Sequence, residues 1–187
     1  MPKKKVKEEQ QLDPNEIRDA IKSNDKFKSF RRIVKNIAEQ VNIDKLHAEI
    51  LRLHSGRKSR TLYLKRPGVD EVNDANLQDS SYRSRIAEIY VEVDYHLGML
   101  EEALDAIRKH LMNEFRDNLE GLKTKGERMA FADQYLTRGV SLAHKLKRLL
   151  RAADVILKDI DQQGFSFKNT IKTLEIHYSH RNDKKNI

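Results

Sequence analysis

IAEIYVEVDYHLGMLEEALDAIRKHL, residues 86–111, has the most regular apolar spacing in the chain. Its apolar side chains recur at alternating steps of four and three residues, the heptad spacing of a helix that buries one face against a partner helix. The members of this seam are Ile86, Tyr90, Val93, Leu97, Leu100, Leu104, Ile107 and Leu111. We therefore predict a long amphipathic helix, whose seam drifts gradually through Phe115, Leu119 and Leu122.

A second seam with similar spacing follows toward the C-terminus. Its members are Met129, Ala132, Leu136, Gly139, Ala143, Leu146, Leu150, Ala153, Leu157 and Ile160. Each seam predicts a helix of about 38 residues, or about 57 Å at 1.5 Å per residue. The joint near residues 123–126 is short, so the two helices should be antiparallel neighbours. The sequence thus predicts an all-α fold built on a long antiparallel helical hairpin over residues 81–163.

Shorter elements should flank this hairpin. Residues 1–12 are polar and predict a disordered basic tail. Over residues 13–55, apolar residues at three- and four-residue steps predict N-terminal helices. We predict a break between these helices at residues 42–44. Gly164 is a helix-ending signal, so we predict a short C-terminal helix over 164–178, followed by a polar tail over 179–187.

Residues 56–80 lack apolar periodicity and contain the turn residues Pro67, Gly68, Asn73 and Asn76. This pattern predicts a connector without regular structure. A loop of this length without a function is unusual, so the connector is expected to be either functional or disordered.

Composition narrows the class of protein. The chain has 187 residues, no Cys and no Trp, and no apolar run of the length that spans a bilayer. We expect one soluble domain with tails, without disulfides or a membrane segment, located in the cytoplasm. Residues 2–7 resemble a nuclear localisation element, which would direct the protein to the nucleus only in a eukaryote.

The net charge of +8 suits a polyanionic partner, because neutralising phosphates releases condensed counterions. Within the hairpin, however, acids and bases should face each other. Residues 86–106 contain six acids and no Lys or Arg, and Lys145, Lys147, Arg148 and Arg151 lie on the second helix. A turn near residue 124 would place those bases beside Glu101 and Glu102, where cross-helix pairs would fix the register. The alternative is that these bases form a stripe that binds nucleic acid.

The basic arm, residues 51–68, has no such compensation. It holds Arg52, Arg57, Lys58, Arg60, Lys65 and Arg66 with no acid, and Tyr63 lies among them. Cations for phosphates and a ring for a base are what single-stranded nucleic acid requires, although an ordinary solvated loop has the same composition. An upstream cluster of Lys26, Lys28, Arg31, Arg32 and Lys35 could extend the binding surface.

Catalytic motifs are missing from the sequence. It has neither a P-loop nor a dinucleotide-binding glycine turn, and no serine lies in a nucleophile elbow. His177 and His180 are three residues apart but have no evident third ligand, which favours a polar tail over a metal site. We therefore expect a protein that is not an enzyme and uses no cofactor or metal.

The C-terminal part contains Leu149-Leu150, AADVILKDI at residues 152–160, and Gln163-Gly164-Phe165 with Lys168 opening a last helix, and Ser55-Gly56-Arg57 lies upstream. In these residues the chain resembles the UvsY-type recombination mediators of T-even-like phages. The resemblance covers about the last 60 residues. It implies an oligomeric accessory protein of an infected host cell that binds single-stranded DNA, contacts a recombinase and a single-strand-binding protein, and helps to load the recombinase.

These observations lead to one expected function and one alternative. The expected function is non-catalytic binding of single-stranded DNA or RNA in recombination or repair, and the alternative is a helical structural or adaptor protein that binds an acidic protein. Apolar residues off the seams suggest a homo-oligomer, although packing within the same chain explains them equally well. They are Ile89, Met112, Leu142, Leu149 and Ile156.

Overall fold

A computed structural model describes residues 14–62, 67–116 and 124–183, with side chains for 15–62, 67–116 and 124–176. These residues form seven helices and no strand, which confirms the all-α prediction. The helices are α1 (Pro14–Ser23), α2 (Asp25–Gln40), α3 (Ile43–Ser55), α4 (Ser59–Leu62), α5 (Val69–Glu114), α6 (Lys125–Tyr135) and α7 (Thr137–Asp183).

Side-chain caps mark where the N-terminal helices begin. The Asn24 Oδ1 atom accepts hydrogen bonds from the Lys26 and Phe27 amides, at 2.9 and 3.3 Å, and so caps α2. The Asn42 Oδ1 atom accepts from the Lys45 amide at 3.0 Å and caps α3. The predicted break at residues 42–44 therefore occurs, because Asn42 supplies the start of a new helix.

The chain forms two compact units. Unit 1 comprises the described parts of residues 1–41 and 96–145, and unit 2 those of residues 42–95 and 146–187. Unit 1 contains α1, α2, α6, the second part of α5 and the first turns of α7. Its core includes Ile21, Phe30, Ile37, Leu100, Leu104, Leu111 and Leu136.

A close contact in unit 1 involves Gly139 on α7. A Cβ atom at this position would lie 2.5 Å from Phe30 Cζ on α2 and 3.3 Å from Leu104 Cδ2 on α5. Both distances are shorter than ordinary van der Waals contact. The three helices therefore approach one another as closely as they do because residue 139 has no side chain.

Unit 2 packs α3 and α4 with the first part of α5 and most of α7. Its buried residues include Ile50, Leu53, Ile86, Ile89, Val93, Leu146, Leu149, Ala153, Ile156 and Ile160. At one end, Val72 and Ala75 of α5 pack with Phe167 of α7, whereas further along α5 Arg83 pairs with Asp161. Rising residue numbers on α5 thus meet falling numbers on α7, so in this unit the two segments are antiparallel.

Three off-seam apolar residues are buried inside unit 2. Ile89, Leu149 and Ile156 are 0, 2 and 7% exposed. Packing within the chain therefore accounts for these three residues, which is one of the two explanations that the sequence left open.

The predicted connector over residues 56–80 is wrong for most of its length. α5 begins at Val69, directly after Pro67-Gly68, and α4 occupies residues 59–62. Val72, Ala75 and Asp79 are buried at helical spacing along this part of α5. Packing against α7 thus overrides the weak helix propensities of Asn73 and Asn76.

The predicted separate helix over residues 164–178 is also wrong. α7 continues through Gly164 to Asp183, and none of the glycines described has a positive φ. Phe167 lies seven residues after Ile160 and is 2% exposed, so the buried stripe stays in phase across the glycine. Phe165, by contrast, is 69% exposed.

The second seam is interrupted where no break was predicted. α6 ends at Tyr135 and α7 begins at Thr137. Leu136 between them remains 1% exposed, and the Thr137 hydroxyl donates to the Gln134 carbonyl at 2.9 Å. Neither glycine nor proline marks this interruption.

Candidate nucleic-acid interface

The predicted binding residues fall into different parts of the fold. Arg31, Arg32 and Lys35 belong to unit 1, whereas Arg52, Arg57, Lys58 and Arg60 belong to unit 2. Tyr63, Lys65 and Arg66 lie outside the described residues. Each unit is therefore considered separately.

Unit 1 contains a cleft of about 1200 Å³ whose charged lining residues are all basic. Seven cationic residues from α1, α2 and the start of α7 contribute to it, and no acid is among the lining residues. The cations are Arg18, Lys22, Arg31, Arg32, Lys35, Arg138 and Lys145. The cleft therefore includes three of the five residues of the upstream cluster that the sequence suggested, whereas Lys26 and Lys28 do not line it.

Most of these charges are uncompensated. Lys22 pairs with Asp19 at 3.3 Å and Lys35 with Glu39 at 3.6 Å, but both pairs are exposed and lie within one helical turn. Such surface pairs contribute little free energy and yield easily to another anion. The other five cations of the cleft form no ion pair with any residue that the structure describes. The cleft is thus an anion-attracting surface.

Helix geometry explains why these cations converge. Arg31 and Lys35 are four residues apart on α2, as are Arg18 and Lys22 on α1, so each pair shares one helix face. Arg138 and Lys145 are seven residues apart, which also places them on one face of α7. Sequence reasoning missed four of the seven, although this spacing was a signal that could have found them.

Arg57, by contrast, is wrongly predicted as a nucleic-acid ligand. Its side chain is 0% exposed and its guanidinium forms a bidentate pair with Asp79, Nε to Oδ1 at 3.1 Å and Nη2 to Oδ2 at 2.8 Å. Nη1 also donates to Asp159 Oδ2 at 2.5 Å, and Nη2 to Gln163 Oε1 at 2.6 Å. With these partners Arg57 cannot reach a phosphate.

The acidic partners of Arg57 keep its guanidinium group charged. Burial alone would lower the pKa of Arg57, but the hydrogen bonds and charges of Asp79 and then Asp159 offset burial and raise the pKa above its usual value. The partners lie 22 and 102 residues away in sequence. A charge count within the arm could not reveal them.

The neighbours of Arg57 remain available on unit 2. Lys58 and Arg60 are exposed and form no ion pair with any described residue, and Arg52 is exposed on the last turn of α3. The Lys58 amide donates to Gln78 Oε1 at 2.9 Å, which fixes its backbone on α5. Lys58 and Arg60 are thus exposed cations, as the prediction of phosphate contact requires.

His54 adjoins this buried cluster. Burial lowers its pKa below 6.5, and the positive charges of Arg60 and Arg57 lower it further. Asp159 Oδ2 is 3.9 Å from His54 Nδ1 and raises the pKa, but not enough to reverse the shift. His54 is therefore neutral in the folded protein at neutral pH.

This shift predicts a loss of stability in mild acid. The unfolded chain, with His54 at a pKa of 6.5, binds more protons than the folded chain, so the free energy of unfolding should fall as pH drops through 6.5 toward the folded-state pKa. Urea unfolding midpoints between about pH 7.5 and 5.5 would measure the fall. The variant His54→Gln should show a smaller fall, and an identical pH dependence in both proteins would contradict the prediction.

The predicted pairing with Glu101 and Glu102 is not found for Lys145, whereas for Lys147 it stays a prediction. Within the described chain, Lys145, Arg148 and Arg151 form no ion pair with an acid, and Lys145 lines the cleft. The predicted register opposed residues whose numbers sum to about 248, whereas Leu104 in fact meets position 139. The two registers differ by about five residues, or about 1.4 helical turns.

Arginine–aspartate and arginine–glutamate pairs join different helices within each unit. In unit 1 Arg108 Nε donates to Asp133 Oδ1 at 2.7 Å. In unit 2 Arg83 Nε donates to Asp161 Oδ1 at 2.6 Å, and Arg85 Nε to Glu49 Oε1 at 2.8 Å. These pairs contact acids on α6, α7 and α3, respectively.

Comparison with models of protein families, with curated protein sequences and with solved structures gave no match. The resemblance to UvsY-type mediators therefore stays a prediction. Over the described residues, no helix has both the length and the apolar character needed to cross a membrane. The same residues contain no group of three or more His, Cys, Asp or Glu side chains placed to hold a metal ion.

Proposed function

We propose that the protein is a non-catalytic accessory protein that binds single-stranded nucleic acid through the basic cleft of unit 1. The observation that carries this proposal is the lining of that cleft, seven cations without an acid. A polyanion entering it would replace condensed counterions and gain the favourable entropy of their release. A small anion would gain much less, because it neutralises fewer of the cations at once.

Cleft shape favours a single strand over a duplex. The cations line a recess of about 1200 Å³ rather than a protruding helix. A flexible single strand can follow such a groove and place successive phosphates against its walls.

The exposed cations of unit 2 offer a second place for phosphate contact. Lys58 and Arg60 are solvent-exposed, and the buried Arg57 fixes the backbone next to them. The resemblance to UvsY-type mediators supports DNA as the first ligand to test and recombination as the process served. A recombinase and a single-strand-binding protein would then be the protein partners.

Fluorescence anisotropy of a labelled single-stranded oligonucleotide, titrated at several salt concentrations, tests the proposal. Contacts from all seven cleft cations predict a slope of log affinity against log salt of about −5, at about −0.7 per phosphate. The double variant Arg31→Glu with Arg32→Glu should bind more weakly and reduce the magnitude of the slope by at least about 1.4.

A matched control lies on the same helix. Lys26 and Lys28 are exposed on α2 but do not line the cleft. The variant Lys26→Glu with Lys28→Glu changes the net charge equally and should keep a slope close to that of the wild type. Equal losses in both double variants would indicate a nonspecific charge effect and refute the cleft as the site.

Two further outcomes are informative. A reduced slope in Lys58→Glu with Arg60→Glu would add the unit 2 cations to the contact surface. A wild-type protein that binds no oligonucleotide at about 50 mM salt, yet binds polyglutamate, would overturn the nucleic-acid proposal in favour of an adaptor for acidic proteins.

A further inference from the structure

The walls of the basic cleft are not uniformly polar. Besides its cations, the cleft is lined by a set of apolar and aromatic side chains. Of these, Val34, Ala38, Tyr135 and Leu142 are at least partly exposed. A ligand made only of phosphates would leave their apolar surface without a partner, so the lining fits an anion that also carries an apolar, flat group.

Tyr135 is the aromatic residue best placed to receive such a group. It is the last residue of α6, at the interruption before α7, and its side chain is half-buried. The ring packs edge-to-face on Phe131, with centroids 5.3 Å apart and planes at 65°. This contact restrains the ring before a ligand arrives, which lowers the entropy cost of stacking on it.

Cations line the same cleft as this ring. Arg138 is three residues after Tyr135, and both line the cleft with Arg31 and Arg32. A restrained aromatic ring among guanidinium groups can hold a base by stacking while the charges hold the flanking phosphates.

We infer that the cleft is a nucleobase subsite in which an unpaired base stacks on Tyr135 while the cleft cations hold the neighbouring phosphates. The inference rests on the proposed function and narrows its ligand to strands with accessible bases. Duplexes are poor ligands because their bases are already stacked and paired. Polyanions without bases, such as heparin, fill only the charged part of the site.

The test compares two labelled ligands of equal length and equal charge, an oligothymidylate and an abasic oligodeoxynucleotide. Wild-type protein should bind the oligothymidylate more tightly by about 5- to 150-fold, the factor that corresponds to stacking of about 1–3 kcal/mol per base. Tyr135→Leu should lose this preference, and Tyr135→Phe should retain it because its ring can still stack. Affinity for the abasic strand and its salt slope should be the same in all three proteins.

Outcomes separate this inference from the function on which it rests. Equal wild-type affinity for both ligands would overturn the base subsite and leave phosphate binding in the cleft intact. A preference that survives in Tyr135→Leu would place the base elsewhere and refute the role of Tyr135. Failure of the wild-type protein to bind either strand at low salt would refute both proposals.

Folding of the variants is checked independently by thermal melting followed by circular dichroism. The comparison of the two ligands on the wild-type protein needs no variant. The inference can therefore be refuted even where Tyr135→Leu fails to fold.

Discussion

Replacing Arg57 with methionine is expected to lower the free energy of unfolding by about 3–5 kcal/mol. The change leaves the carboxylate of Asp79, whose side chain is 4% exposed, buried without its bidentate partner. It also removes the donor to Asp159 and Gln163. Burying an unpaired charge costs far more than the net contribution of an intact pair, so the loss should be much larger than for a surface cation. Urea unfolding at neutral pH would measure it.

Two controls identify the cause. Lys58→Met alters the next residue, which is exposed, and should change stability by no more than about 0.5 kcal/mol. The double variant Arg57→Met with Asp79→Leu removes both charges and should recover much of the loss. A stability of Arg57→Met within about 1 kcal/mol of the wild type would show that the pair does not hold this part of unit 2 together.

Gly139→Ala should destabilise the protein although alanine is the better helix former. Alanine in place of an interior helical glycine normally adds about 1 kcal/mol of stability. Here the new Cβ atom would lie 2.5 Å from Phe30 Cζ and 3.3 Å from both Leu104 Cδ2 and Val34 Cγ2, so three side chains would have to shift together. Overpacking of this kind typically costs about 1–3 kcal/mol, which should outweigh the helical gain.

Gly98 provides the opposite case within unit 1. It also lies inside a long helix, but a Cβ atom there meets nothing within 4 Å. Gly98→Ala should therefore raise the unfolding free energy by up to about 1 kcal/mol. Thermal or urea unfolding of the two alanine variants should give shifts of opposite sign, and a stabilised Gly139→Ala would contradict the close helix packing described here. Because Phe30 also lines the cleft, Gly139→Ala should weaken oligonucleotide binding as well.

Local signals predicted the fold class and several helix boundaries. The seam from Ile86 to Leu111 lies within α5, and seven of its eight members are buried. Asn42 interrupts the N-terminal helices because its side chain can cap a new helix, a property that depends on only a few neighbouring residues. Periodicity and capping depend on residues within one or two helical turns, so the sequence alone was enough to predict these helices and this break.

Errors arose where distant residues determine the outcome. Asn73 and Gly164 have turn-like local preferences, yet both lie within helices because neighbouring apolar positions pack against another helix. Arg57 looked like an exposed ligand because its acidic partners follow it by 22 and 102 residues. The three upstream cations were predicted from charge alone, whereas the walls that they share with α1 and α7 depend on tertiary packing.

The distance between Arg57 and Asp159 also bears on how the protein is made. Ribosomes add about 5–20 residues per second, so about 5–20 s separate the synthesis of Arg57 from that of a partner 102 residues later. For most of that interval a nascent chain has Asp79 but neither Asp159 nor Gln163. The guanidinium therefore has its complete set of acceptors only once Gln163 has been added.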